Sequence, residues 1–130
     1  MDNTNGRNYS VEIVDSSEEL SAIEKVRLKD TTDCVRLDQA LEGTNAITIK
    51  VMKYVVLNIH NEKSEDKEYP NFIIVDEDGT KYITGSRNFF DTFLDIYGEL
   101  EDCNEEWYLK IYKVDSKNYK GKQFITCSVA

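Results

Sequence analysis

The sequence predicts a mainly β domain of five short strands with one helix between the third and the fourth. Three observations carry this. From Ala46 onward apolar residues recur at every second position, the period of a strand. The run Asp76-Glu77-Asp78-Gly79 lies between two strand-like stretches and is a strong hairpin signal. Between Ser86 and Gly98 the period lengthens, with Phe90, Phe93, Leu94 and Tyr97 spaced i, i+3, i+4 and i+7 along a helix. A length of 130 residues fits one core, and 40% hydrophobic content argues against disorder across the chain.

The elements follow in order. Residues 1–10 read as a flexible arm. Ser16 followed by Glu19 fits a capping box for a modest amphipathic helix from Leu20 to about Leu28. A second short helix is expected from Asp33 to Leu41, after Thr32 as cap and before Gly43 as stop. Residues 1–43 are thus expected to be an arm and a short helical extension or lid, and residues 44–130 the main domain. One long strand is predicted from Ala46 to His60. Ile47, Ile49, Val51, Val55, Leu57 and Ile59 should share its buried face, while Lys50, Tyr54, Asn58 and His60 lie on the other. After a polar loop from Asn61 to Glu68 come strands Tyr69–Val75 and Lys81–Thr84. The helix capped by Ser86 follows, expected to stop at Gly98. Trp107–Val114 and Gln123–Val129 complete the set. Five strands with the helix between the third and fourth is the order of an OB-fold, a small closed or nearly closed barrel. An open α+β sheet fits the same string less economically.

Several function classes are excluded or disfavoured. The longest uninterrupted apolar runs are four residues, far from the roughly 20 of a membrane-spanning helix. Met1 to Ser10 lacks the apolar core of a signal peptide. Cys34, Cys103 and Cys127 stand at wide spacings without a CxxC, which fits reduced thiols in a cytoplasm better than a disulfide framework or zinc ribbon. One histidine, His60, leaves little for nucleophilic catalysis, and the chain holds no GxxxxGK[ST], GxGxxG or HExxH. The acidic cluster Glu99, Glu101, Asp102, Glu105 and Glu106 lacks the regular spacing of a calcium loop. The chain therefore reads as a binding protein, not an enzyme, with no cofactor or metal.

Charge is uneven. The whole chain is −9, yet residues 107–130 carry five lysines against Asp115 alone, a net +4. Alternation puts Trp107, Leu109 and Ile111 in the core and points Tyr108, Lys110 and Tyr112 outward together. In the last strand Ile125, Cys127 and Val129 should face inward and Phe124 outward. The connector adds Lys117, Tyr119, Lys120 and Lys122 around Gly121, and Lys50 and Tyr54 belong to the solvated side of the first strand. Lysines interleaved with outward aromatics suit a single strand of nucleic acid, with rings stacking on bases and ammonium groups tracking phosphates. OB-folds bind oligonucleotides through the face of strands 2–3 and the loops between strands 1–2 and 4–5, and the lysine connector would be the last of these.

The run Tyr69-Pro-Asn-Phe-Ile-Ile-Val-Asp-Glu-Asp-Gly-Thr-Lys-Tyr-Ile-Thr-Gly-Ser86, with Ser116-Lys-Asn-Tyr-Lys-Gly-Lys122 before Phe124, resembles single-stranded-DNA-binding OB proteins. Those in question are encoded by phages and mobile elements of Gram-positive bacteria. The resemblance spans about Gly43 to Ala130 and is one of pattern. It implies binding to DNA intermediates of replication or recombination in a bacterial cytoplasm, with replication or recombination proteins as further partners. An acidic partner-recruiting tip, usual in bacterial single-strand binders, is not expected after the strand Phe124 to Ala130. Edge strands leave room for a homodimer. A competing expectation is a phage-encoded inhibitor of a host factor, using the −13 of residues 1–106 as a nucleic-acid mimic.

Overall fold

A computed structural model describes residues 8–118 and 120–130. The long predicted strand is present but bent. It divides into β3 (Ala46–Ile49) and β4 (Val51–Asn61), with Lys50 at the break. The two halves enter different sheets. β4 pairs antiparallel with β5 (Glu68–Asp76), which pairs with β6 (Lys81–Thr84). β3 pairs antiparallel with β7 (Leu109–Asp115), which pairs with β8 (Gln123–Val129). The helix α3 (Arg87–Leu100) connects β6 to β7. All five expected strands and the intervening helix are therefore found in the expected order.

The closed barrel is not. The strands form two open sheets, of order β1-β4-β5-β6-β2 and β3-β7-β8. The outer neighbour of β6 is β2 (Val35–Arg36), paired parallel through Val35 with Tyr82 and Arg36 with Ile83. Among the described residues no ladder joins β6 to β8. The seam between them is packed by α3, whose Phe89, Phe90 and Phe93 are buried in one cluster with Cys127 of β8.

The amino-terminal expectations change most. Tyr9 and Ser10 do not belong to an arm, because residues 9–16 form β1, antiparallel to β4 from Tyr9 opposite Asn61 to Ser16 opposite Val55. A bulge between Ile13 and Asp15 leaves Val14 outside, which breaks the alternation a strand reading needs. Asn8 O accepts from Glu62 N–H at 2.8 Å, and residues 1–7 of the expected arm lie outside the described residues. The helix cap is Ser21, not Ser16. Glu24 N–H donates to Ser21 Oγ at 3.2 Å, Ser21 N–H donates to Glu24 Oε1 at 3.0 Å, and α1 runs Ala22–Lys29. The expected helix from Asp33 shrinks to α2 (Leu37–Ala40), since Val35 and Arg36 are drawn into the sheet beside β6.

A second bulge, between Val51 and Lys53, decides the core. One extra residue reverses the face of everything that follows it. Ile49 is buried in a cluster with Phe72, Ile74, Phe90, Phe93, Leu109 and Ile111, and Ile47, Val51, Tyr54 and Val56 pack against it. Val55, Leu57 and Ile59 lie on the opposite face, in a second cluster with Leu20, Leu28, Ile73 and Val75. The single apolar face expected for this strand is thus two faces, each covered. Burial of β5 on both sides explains its unbroken run Phe72 to Val75, fully or nearly fully buried.

Local chemistry fixes the rest. Asp76 Oδ1 accepts N–H bonds from Asp78 and Thr80, both at 3.0 Å, and Gly79 takes φ +84°, so the β5–β6 turn is specified as expected. Ser86 caps α3 by accepting from Phe89 N–H at 3.2 Å. The helix runs past Gly98 to Leu100, with Glu101 N–H closing its last turn onto Tyr97 O at 2.8 Å. Val129, expected inward, is exposed at the end of the outermost strand of its sheet.

The ion pair between Lys53 and Glu24, at 2.6 Å, ties α1 to β4. The Lys53 ammonium and the cap contacts of Ser21 hold the Glu24 carboxyl down at about 2, from 4.5. A depressed carboxylate stabilises the fold above its unfolded value and loses that contribution as pH falls through the folded one. Acid titration from pH 4.5 to about 2 should therefore loosen α1 from the sheet. Glu24→Gln should show less of this pH dependence by circular dichroism, and a profile identical to the parent would remove Glu24 from this role.

Candidate nucleic-acid interface

The ladder of the three-stranded sheet aligns its outward side chains. Lys110 stands between Thr48 and Ser128, Tyr112 between Ala46 and Thr126, and Val114 opposite Phe124. The alternate positions Leu109 and Ile111 are fully buried, so the expected parity of β7 holds. Tyr108 and Phe124 are 38% and 49% exposed, large apolar rings left in water on this side. The Lys110 ammonium lies 5.3 Å from the centre of the Tyr112 ring, a cation–π contact that steadies both. Trp107 precedes β7, is half-buried against the main core, and meets Tyr97 edge-on at 6.3 Å.

At one end of this face Lys50 and Tyr108 share a single carboxylate. Lys50 Nζ lies 2.7 Å from Glu106 Oε1, and Tyr108 Oη donates to the same oxygen at 3.1 Å. The hydrogen bond from Lys50 lowers the Glu106 carboxyl, and the carboxylate in turn raises both Lys50 and Tyr108. Lys50 is therefore at the expected place but already neutralised. Sequence reading missed Glu106 because nothing in the spacing tells which acid of a cluster reaches across to another strand.

At the other end the β7–β8 connector carries Lys117, Lys120 and Lys122, all exposed. Ser116 N–H donates to Lys122 O at 2.9 Å, and Gly121 adopts φ +81°, a conformation that favours glycine. Gln123 Nε2 donates to the carboxylate of Asp115, the one acid of this segment, at 3.1 Å. Tyr119 lies outside the described residues.

Tyr54 does not join this surface. Beyond the bulge at Met52 it turns into the main core, where its ring meets Phe90, Phe93 and Tyr97 edge-on at 5.5, 5.8 and 5.3 Å. Burial raises its hydroxyl above the ordinary tyrosine value. The structure thus gathers Lys50, Tyr108, Lys110, Tyr112 and Phe124 on one sheet with the three connector lysines at its end, and takes Tyr54 away. The small residues Ala46, Thr48, Thr126 and Ser128 that keep this face open were legible in the alternation but carry no charge or ring to single them out.

Among the described residues no three His, Cys, Asp or Glu side chains converge as metal ligands. Cys127 is buried, which pushes its thiol up to about 12, and burial also raises half-buried Cys34. Among the described residues no helix is long and apolar enough to cross a membrane. Comparison with protein-family models, with curated proteins and with solved structures gave no match.

Proposed function

We propose that the chain binds single-stranded DNA without reading its sequence, through the outer face of β3-β7-β8 and the β7–β8 connector. The observation that supports this best is the convergence of Tyr108, Lys110, Tyr112 and Phe124 on one exposed face beside three lysines, in a protein otherwise strongly acidic. Among the described residues these rings stack on no other ring, which suits them to bases, and lysines at the margin supply phosphate contacts. The fold is read as an OB-type arrangement opened at the seam between β6 and β8, with β3–β4 as the strand shared by both sheets. In keeping with the resemblance, its place is on DNA intermediates of phage or mobile-element replication or recombination. The acidic surface should meet duplex unfavourably outside the groove.

Fluorescence anisotropy with labelled oligo-dT at a series of salt concentrations tests this. Binding should weaken with salt, by about 0.7 in log–log slope for each phosphate neutralised. Changing Lys117, Lys120 and Lys122 together to alanine should flatten that slope and move the thermal midpoint little, because exposed lysines contribute little to stability. A triple variant that binds as the parent does, with the same slope, would show that the connector is not the site.

A second reading has one specific observation in its favour. Lys50, Lys53 and Lys81 are each held by a carboxylate, Glu106, Glu24 and Asp33, at 2.6–2.7 Å, within residues 1–106, which carry a net −13. This suits a protein that mimics nucleic acid toward a basic partner. No association with oligo-dT at low salt would favour it over the first.

A further inference from the structure

The five-stranded sheet carries a cavity that the sheet-face reading does not use. Tyr69, Asn71, Ile73 and Val75 alternate on one side of β5. Ile73 and Val75 are buried with Leu20 and Leu28 of the amino-terminal segment, Tyr69 packs half-buried on the edge of the same cluster, and Asn71 is half-buried beside it. There a trough of about 570 Å³ opens, closed on its far side by Tyr9 and by residues between Thr31 and Gln39. A smaller cavity of about 220 Å³ shares Arg36, Asn71, Ile83 and Gly85 with it and continues toward Ile125.

The wall chemistry is unlike the rest of the molecule. Aspartate and glutamate make up 25 of 130 residues, yet among the described residues the larger trough has neither in its wall. The cavity beside α1, by contrast, is walled by Glu24, Asp30 and Asp33. The trough's charged group is Arg36, which meets Asp38 through Nε at 3.4 Å, a contact on one side of the guanidinium fork. Both of those side chains are more than half exposed. Two phenol rings, Tyr9 and Tyr69, stand in the same wall as Gln39, Asn71, Thr31 and Thr32, whose hydroxyl donates to Asp30 at 2.6 Å.

We propose that this trough binds one nucleotide unit, its base against Tyr69 and Tyr9 and its phosphate on Arg36. A flat heterocycle suits the rings, amides and hydroxyls can meet its edge, and a planar guanidinium pairs with phosphate through two parallel hydrogen bonds. The volume lies in the range of small-ligand sites. Tyr9 and Arg36 come from the first 43 residues, so the site depends on the segment that departs most from the five-strand plan. It shares no residue with the β7–β8 face and stands whether or not that face binds DNA. The nucleotide is either free in solution or one unit of a strand, and the chemistry is the same.

The test is a titration of the full-length, nitrogen-labelled protein followed by amide NMR, with thymidine monophosphate, thymidine, inorganic phosphate and oligo-dT as separate probes. Thymidine monophosphate should shift the amides of Thr32, Arg36, Asn71 and Ile83 saturably, and thymidine or phosphate alone should bind about tenfold or more weakly. Arg36→Gln, at an exposed position, should weaken the monophosphate about tenfold and leave thymidine unchanged. If oligo-dT moves the same amides, the unit belongs to a strand; if it moves only those of β7 and β8, the ligand is the free nucleotide. No saturable shift by about 10 mM, or equal binding by phosphate alone with Arg36→Gln indistinguishable from the parent, would overturn the proposal.

Discussion

Replacing Phe90 by alanine is expected to lower stability by about 3–5 kcal/mol, enough to bring a domain of ordinary stability near its limit. The ring is 1% exposed, stacks on Phe72 at 4.2 Å and meets Tyr54 edge-on. It also stands where α3 fills the seam between the two sheets. Nothing around it can collapse cheaply, since Phe72, Phe89 and Phe93 are themselves fully buried. Urea unfolding of the variant measures the loss. Phe124→Ala is the matched control, because the same side chain at 49% exposure should cost under about 0.5 kcal/mol. Equal effects at the two positions would contradict the burial assigned to them.

Removing residues 1–20 should be comparably severe. The deletion takes away β1 and Leu20, and with them Val11 and Ile13, which pack on the second cluster. Each apolar side chain returned to water costs roughly 1.5–3 kcal/mol when fully uncovered, so a loss on the order of 5 kcal/mol is expected from these three. The eleven-residue β4 would also become an edge, with Val55, Leu57 and Ile59 open on one side. The shortened chain should aggregate or lose its sharp thermal transition, measured by calorimetry and light scattering. If it unfolds as cooperatively as the parent, at the same midpoint, β1 is an ornament rather than part of the sheet.

The carboxyl-terminal two thirds was legible because its signals are local. Alternation in β7, the Asp76–Gly79 turn and the aromatic stripe of α3 each depend on neighbours a few residues away, and each is found. The amino-terminal third was not, for a definable reason. The bulge at Val14 breaks the period of β1, and β2 contributes only Val35 and Arg36. The capping motif occurs twice, as Ser16 to Glu19 and Ser21 to Glu24, and only the second has helical residues to cap. The bulge at Met52 hid more. It leaves the composition of β4 strand-like while exchanging its faces, which is why Tyr54 was expected outside and lies in the core. Of the candidate site, the ring and lysine positions on β7 and β8 were readable. The partner of Lys50 was not, because Glu106 reaches it across 56 positions of sequence.

The break at Lys50 also sets how quickly this molecule can assemble. One continuous segment must find Tyr9–Ser16 behind it for β4 and Leu109–Asp115 far ahead of it for β3. Neither ladder forms by local zipping, and each large loop must close, at an entropic cost, before its contacts reward it. The β4–β5–β6 meander is the part that can form early, since its strands are joined by short connections. Refolding should then proceed on the scale of milliseconds to seconds typical of β topologies, with β7 and β8 docking late. The surface that gathers Tyr108, Lys110, Tyr112 and Phe124 would be among the last features of the chain to exist, and the first to be lost when it opens.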